Sequence, residues 1–356
     1  LRLKSAKFEM EGSETLPGIS LELDHESNDI RLEDHPLPHV GSFEVALRHV
    51  ELDGNALVLP RIKVVGSLDA ASRSLHLSSV AVEPVEVKPP ATFVQRITRM
   101  MEPSSSTTNA DSKLKAIQID RIELPSLKLN TTELAGWPKL KAELAFQSES
   151  IRWSDGGYSS FGSQALTLSD CEIRPPEGEG FIRLPKLATV VRSEDASQRI
   201  EVESLQLDQP VIEWTTGLER WLMPGGTGGS GGASATDMPA IALGKVSIDR
   251  AGLRIQRTEK MAFAGQAEIS LKAGALRIDG QGLRSAGEQS LVITGLTLSE
   301  HPASREQALN SFLKLERGEL VLVPDDWARE MRVQKLALDA VQVTMLPDNT
   351  TFLQSK

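Results

Sequence analysis

A single cysteine, Cys171, stands in 356 residues, so no intrachain disulfide can form and no paired-cysteine zinc motif exists. Aromatic residues make up 4% of the chain, with one tyrosine. That scarcity argues against recognition of sugars or single-stranded nucleic acid by stacking. Asp and Glu number 49 against 39 Lys and Arg, for a formal net charge of −10. No Lys/Arg run exceeds two residues, and phosphate-backbone binding needs clustered cations; nucleic acid is not an expected partner. No stretch of 18 or more apolar residues occurs, so these residues encode no membrane-spanning helix, and no signal peptide is visible.

Catalytic signatures are equally scarce. G-x-S-x-G, P-loop and G-x-G-x-x-G motifs are missing from any strand-to-helix context, and no triad or paired-carboxylate set stands out. The glycine-rich tract Gly226–Gly232 lacks a lysine and a following helix, so it reads as flexible coil and not as a phosphate cradle. His35-Pro36-Leu37-Pro38-His39, near His25 and Asp34, is the one histidine cluster. Its two prolines forbid the helical HxxxH spacing of a zinc site, and it reads as a polar surface turn. Asn130-Thr131-Thr132 and Asn349-Thr350-Thr351 match the glycosylation sequon by pattern only. An enzyme is not expected, and neither a metal nor a cofactor is called for.

What the chain does have is a repeat of about 125 residues. Apolar residues recur at offsets 0, 2, 5 and 7. One full copy holds Leu75, Leu77, Val80, Val82, then Ile117, Ile119, Ile122, Leu124, then Leu166, Leu168, Cys171, Ile173. About 124 or 125 residues on come Ile200, Val202, Leu205, Leu207, then Ile241, Leu243, Val246, Ile248, then Leu291, Ile293, Leu296, Leu298. The register also aligns Ile30-Arg31-Leu32 with Ile151-Arg152-Trp153, and Val45-Ala46-Leu47 with Leu166-Thr167-Leu168. A further copy opens at Met331, Val333, Leu336 and Leu338. The expected division is an incomplete repeat over 1–74, full repeats over 75–199 and 200–330, and the start of another over 331–356. All belong to one continuous elongated domain, read as a piece of a longer repeat protein.

Period-2 alternation marks these segments as strands. The extra residue between offsets 2 and 5 would flip the later side chains to the opposite face unless a bulge absorbs it. A bend is expected there, with polar His49, Ser79, Arg121, Ser204, Lys245 and Lys335 at the kink. Short helices are expected over 93–101 and 217–223, each followed by a low-complexity excursion; a linker between independent domains is the alternative for 224–239. Roughly six strands per repeat give an all-β, elongated, curled antiparallel sheet of about 16 to 18 strands, roughly 80 Å along the hydrogen-bonding direction. With no long helix encoded to cover its apolar side, that side is exposed to aggregation unless something lipid-like occupies it.

The strand pair Ile241-Ala-Leu-Gly-Lys-Val-Ser-Ile-Asp-Arg-Ala-Gly-Leu-Arg-Ile255 resembles the recurrent strand pair of AsmA-like bacterial envelope proteins. So does what precedes it, Val211-Ile212-Glu213-Trp214, a short helix and a low-complexity loop, and Ile117–Leu129 repeats the likeness. The resemblance covers most of the chain but rests on degenerate apolar motifs, with no diagnostic polar residue. It implies a periplasmic protein anchored to the inner membrane, with an anchor helix these residues do not include, and a role in bridge-like lipid transfer. The expected partners are then phospholipid or another amphiphile, and envelope membrane proteins at the ends of the full-length chain. The groove candidates are Leu75, Leu77, Ile117, Ile119, Ile122, Leu124, Leu166, Leu168, Ile200, Val202, Leu205, Leu207, Ile241, Leu243, Val246, Ile248, Leu291, Ile293, Val333 and Leu336. The alternative is a structural scaffold or spacer with a closed, dry β core.

Overall fold

A computed structural model of the chain describes residues 1–11, 18–32, 37–52, 57–87, 114–132, 137–154, 157–195, 199–222, 240–258, 261, 263–279, 282–299, 311–324 and 331–344. Seventeen strands belong to one sheet. They are β1 (Arg2–Met10), β2 (Ile19–Arg31), β3 (His39–Leu52), β4 (Leu57–Asp69), β5 (Ser74–Val82), β6 (Val85–Val87), β7 (Ala116–Asn130), β8 (Lys139–Ser154) and β9 (Gly157–Arg174). Then follow β10 (Phe181–Asp195), β11 (Arg199–Asp208), β12 (Val211–Trp214), β13 (Ala240–Ile255), β14 (Ala264–Asp279), β15 (Gly282–Ser299), β16 (Ser311–Pro324) and β17 (Met331–Val343). Among the described residues one helix, α1 (Thr216–Leu222), falls where the sequence placed the second short helix. The first, over 93–101, lies outside the described residues, as do Asp34, His35 and the tract 226–232.

The chain divides into two compact units, 1–135 with 140–168 and 189–201, and 136–139 with 169–188 and 202–356. In the first, β1 to β5 form an antiparallel meander. β5 and β6 then lie parallel to β7, which pairs antiparallel with β8. In the second, β12 lies parallel to β13, and β13 to β17 form another antiparallel meander. The two parallel joins depart from the expected wholly antiparallel sheet. A parallel pairing needs a connection of a dozen residues or more, and each join falls where the sequence inserts such a stretch, at 88–115 and 215–239.

The extra residue of each apolar signature is absorbed in two ways. In β3, β9 and β15 one residue takes a left-handed backbone: His49 (φ 49°), Asp170 (φ 49°) and Gly295 (φ 62°). These three are equivalent in the repeat alignment. His49 was an expected kink; Ser79, Arg121, Ser204, Lys245 and Lys335 keep ordinary φ. Against an antiparallel neighbour β5 and β17 take up the extra residue in a ladder shift, with Ser79 opposite Val65 but Leu77 opposite Gly66, and Lys335 opposite Val321 but Val333 opposite Leu322; across the parallel join there is no shift. Leu77 faces Ile119 and Val80 faces Ile122, so β5 and β7 bend together without losing register. Two further positions recur in the same way, Asp29 (φ 53°) with Ser150 (φ 55°), and Gln209 (φ 48°) with Ala340 (φ 52°).

A second irregularity also recurs. The ladder shifts between Leu3 and Ala6, between Leu124 and Leu127, and between Ile248 and Ala251. At two of these the residue inside the shift is left-handed, Ser5 (φ 50°) and Arg250 (φ 47°). Its freed amide donates to a side chain of the next strand, Ser5 to Asp24 Oδ1 at 2.8 Å and Arg250 to Ser270 Oγ at 3.1 Å. An amide taken out of the ladder needs such a partner, and the alignment makes Asp24 and Ser270 equivalent.

Helix α1 is fixed at its start by Thr215, whose Oγ1 accepts from the Leu218 amide at 3.3 Å and donates to the Glu179 carbonyl. Leu218 is completely buried. A Cβ at Gly180 (φ 100°) would stand 2.5 Å from Thr215 Oγ1 and 3.1 Å from Leu218 Cβ, so glycine is required for this docking.

Gly295 offers a test of the bulge by itself, because a Cβ there would meet nothing within 4 Å. Gly295→Val should lower the unfolding free energy by about 1–2 kcal/mol through backbone strain alone, read by urea denaturation. An unchanged midpoint would mean that the left-handed residue is not needed.

Candidate functional site

Hydrogen-bond register decides which side chains share a face. In the first unit, Leu68, Gly66, Val64 and Ile62 of β4 stand opposite Leu75, Leu77, Val80 and Val82 of β5. Across the parallel join, Leu75 and Leu77 stand opposite Ile117 and Ile119. These meet Trp153 and Ile151 of β8, while Ile122 meets Ser148 and Leu124 meets Phe146. In the second unit, Leu243, Val246 and Ile248 face Leu276, Ala273 and Leu271. Leu271 and Ile269 then face Leu291 and Ile293, Leu291 faces Leu320, and Leu320 and Leu322 face Leu336 and Val333. Each unit thus carries a mostly apolar face, into which register also brings His25 beside Val45, Ser148 beside Ile122, and Gln289 between Ala273 and Leu322. Ile241 opens that face on β13. Leu166 and Leu168 on β9, and Ile200, Val202, Leu205 and Leu207 on β11, keep the same spacing.

Not one of the twenty groove candidates is buried. Eighteen are half-buried, and Val333 and Leu336 are exposed. Central strand β7 has no fully buried residue in its fifteen. Ten hydrophobic residues are buried among those described, and four of them are alanines. Neighbours in the sheet shield the flanks of these side chains. The strand-to-strand contacts among the described residues run between neighbours in the sheet.

The sequence reading missed a line of small residues on this face. Ser27 of β2 and Ser148 of β8 are buried, as is Ala273 of β14, and the repeat alignment makes the three equivalent. Ser27 stands opposite Phe43, and Ser148 opposite Ile122. Ser27 and Ser148 each stand two residues before a left-handed one, Asp29 and Ser150. Recurrence of Ser, Ser, Ala one repeat apart was the available signal. Cys171 is buried as well, and desolvation pushes its thiol pKa up, so it behaves as a small hydrophobe.

The opposite face is polar. Lys7 pairs with Glu22 (3.8 Å), Arg48 with Asp24 (2.5 Å), Lys63 with Glu44 (2.9 Å) and His76 with Asp120 (2.7 Å). In the second unit Lys335 pairs with Glu319 (2.9 Å). Exposed pairs of this kind contribute about 0–1 kcal/mol each; what they do is keep this side wetted and in register. A hollow of about 670 Å³ in the first unit is bordered by Lys63, Ala81, Glu123, Ala145 and Thr167. Lys63, Ala81 and Glu123 share the polar face, and Val82, Leu124 and Phe146 of the apolar stripe border the same hollow.

His25 donates to or accepts from Ser27 Oγ at 3.0 Å, and His39 lies 3.9 Å from Asp29 and 3.7 Å from Asp69. No group of three or more His, Cys, Asp or Glu residues that would hold a metal ion occurs among the described residues. No helix among them is long and apolar enough to cross a membrane. In comparisons with known proteins, no family model, no curated protein and no solved structure matches this chain.

Glu172 joins two arginines. It accepts from Arg174 at 2.7 Å and from Arg183 at 2.8 Å, and both guanidinium groups lie over the Phe181 ring, 5.5 and 5.1 Å from its centre. The Arg174 and Arg183 hydrogen bonds hold its carboxyl below the usual glutamate value of 4.5. A carboxylate with a depressed folded-state pKa stabilises the fold above its unfolded pKa. That contribution is lost as pH falls from about 4.5 through the folded value. Glu172→Gln should flatten the fall in stability below about pH 4.5, as read by thermal midpoints; an unaltered pH profile would rule out the coupling.

Proposed function

We propose that the apolar face holds the acyl chains of phospholipid or a similar amphiphile, and that the protein is a non-enzymatic lipid conduit of the bacterial envelope. One observation carries the proposal: wide, mostly apolar faces, joined by register, whose side chains stay partly exposed. Residues kept apolar through so many strands, yet left without a packing layer, suit a ligand that is itself apolar, extended and interchangeable. Transfer of a lipid chain from water to such a surface contributes about 0.8 kcal/mol per CH₂. Successive side chains of similar size give successive sites of similar affinity, so that an acyl chain slides along the strands and is not trapped at one of them. Head groups remain in water.

The likeness to AsmA-like proteins supports the same reading and extends it. The chain would work in the periplasm, tied to the inner membrane through parts of the protein beyond these residues, with envelope proteins as partners at its ends. An acidic surface suits a shuttle path better than a membrane-docking surface, which favours cations.

Purification without detergent, organic extraction and mass spectrometry against a matched control protein test this. Phospholipid or a similar amphiphile is expected at one or more per chain. Lipid-free chain that stays soluble would remove the proposal. Leu243→Asp sharpens the test. At a half-exposed position it should cost about 1 kcal/mol or less in stability while lowering the bound amphiphile several-fold. Collapse of the fold by that single charge would indicate a closed, dry interior instead.

A further inference from the structure

Arg174 and Arg183 carry more donor capacity than Glu172 uses. Arg174 gives it one hydrogen bond, from Nε to Oε1 at 2.7 Å. Arg183 gives two, from Nε at 3.1 Å and from Nη2 at 2.8 Å, both to Oε2. A guanidinium has five N–H donors, and among the described residues neither arginine has a further acceptor. Two positive charges share one carboxylate, so the cluster stays cationic in a chain of net charge −10.

The repeat does not demand these arginines. Aligning Leu166-Thr167-Leu168 with Leu291-Val292-Ile293 puts Ser299 at the place of Arg174. Aligning Leu184-Pro185-Lys186 with Leu59-Pro60-Arg61 puts Val58 at the place of Arg183. Ser299 and Val58 also lie in strands, so the fold does without a cation at either position. What the arginines have is fixed geometry. Both guanidinium groups lie over the Phe181 ring and are tied to one carboxylate, so little side-chain freedom is left to lose when a ligand arrives. Their side chains are 50% and 48% exposed, which gives a ligand access.

Two planar forks on two strands call for an anion with oxygens in more than one plane. A carboxylate presents two coplanar oxygens, which a single guanidinium satisfies; a tetrahedral phosphate accepts from both. Neighbouring charges set which phosphate. Glu177 and Glu179 stand exposed in the turn between β9 and β10, and Glu213 lies opposite Phe181 in the ladder and level with Arg254 of β13. These carboxylates disfavour a doubly charged anion, and a singly charged phosphodiester is the better fit.

We propose that Arg174 and Arg183 form a binding site for a phosphate group, with a phosphodiester as its preferred form. The whole cluster belongs to the second unit. Arg174 ends β9 and Phe181 opens β10, while Ile173 and Ile182 alternate with the arginines and point to the other side of the sheet. A lipid whose chains lie on the apolar face brings its head group to the site around these strand ends. That source rests on the lipid reading; the site itself does not.

Isothermal titration calorimetry on the full 356-residue chain tests it with dihexanoyl phosphatidylglycerol, with dihexanoylglycerol, which has the same chains and no phosphate, and with inorganic phosphate. The variant carries Arg174→Lys and Arg183→Lys, which keep both charges but not the planar forks. The phospholipid should bind the unaltered chain about tenfold or more tighter than the diglyceride, and inorganic phosphate should bind weakly. The variant should lose the phospholipid's advantage and most of the phosphate binding, while its diglyceride affinity and thermal midpoint stay as they were. If neither lipid binds but inorganic phosphate does, and the variant loses it, the site stands with free phosphate as its ligand and the lipid reading falls. A phospholipid with no advantage over the diglyceride together with no binding of inorganic phosphate would overturn the proposal. So would a variant that binds the phosphate probes as tightly as the unaltered chain, because diffuse charge would then suffice.

Discussion

Everything in this structure depends on keeping side-chain parity across a sheet whose sequence contains odd steps. Side chains alternate with period 2, so one uncompensated residue would send half a strand's apolar side chains to the wetted face. Each signature contains such a residue between its second and third apolar positions. The fold handles it either by a left-handed residue, as at His49, Asp170 and Gly295, or by bending two neighbours at one level, as in β5 and β7. Both solutions keep Ile117, Ile119, Ile122 and Leu124 on a single face with Leu75, Leu77 and Phe146. The left-handed residues cost about 1–2 kcal/mol each unless glycine stands there. Their return is that the apolar set of each strand stays on one face.

A second consequence concerns what holds the molecule together. Buried hydrophobic residues are few among those described, and alanines are prominent among them. Cohesion therefore comes from backbone ladders and from lateral contact between side chains of adjacent strands, each cross-strand pair contributing about 0.2–1 kcal/mol. Charged pairs such as Arg48–Asp24 and Lys335–Glu319 hold the polar face wet. Such an arrangement leaves the apolar side chains partly exposed, and the proposed function starts from that exposure.

Much of this was legible in the sequence. The offsets 0, 2, 5 and 7 marked the strands, the grouping of the apolar set and the need for a bend, because parity is a purely local property. The short helix at 216–222 was legible from Leu218 and Trp221 at helical spacing before Pro224. The parallel joins were not, since strand direction is set by where a connection delivers the chain and not by the pattern within the strand. Nor was the choice of residue at each bend. Ser79 and Arg121 escape a left-handed backbone because their strands bend together, a property of the pairing. The buried Ser27, Ser148 and Ala273 were visible only as a recurrence of small residues, which apolar counting passes over.

The account stands on the apolar face, and not the opposite polar face, being the surface that takes up amphiphile. The most direct measurement places a photo-crosslinking amino acid at Ile119, at Leu243 and, for comparison, at Ala81 beside the hollow, in chain produced in a bacterial envelope. Intact mass after illumination then reports what lay against each position. The account predicts lipid-mass adducts at Ile119 and Leu243 and none at Ala81. Adducts confined to Ala81, or none at any of the three, would contradict it.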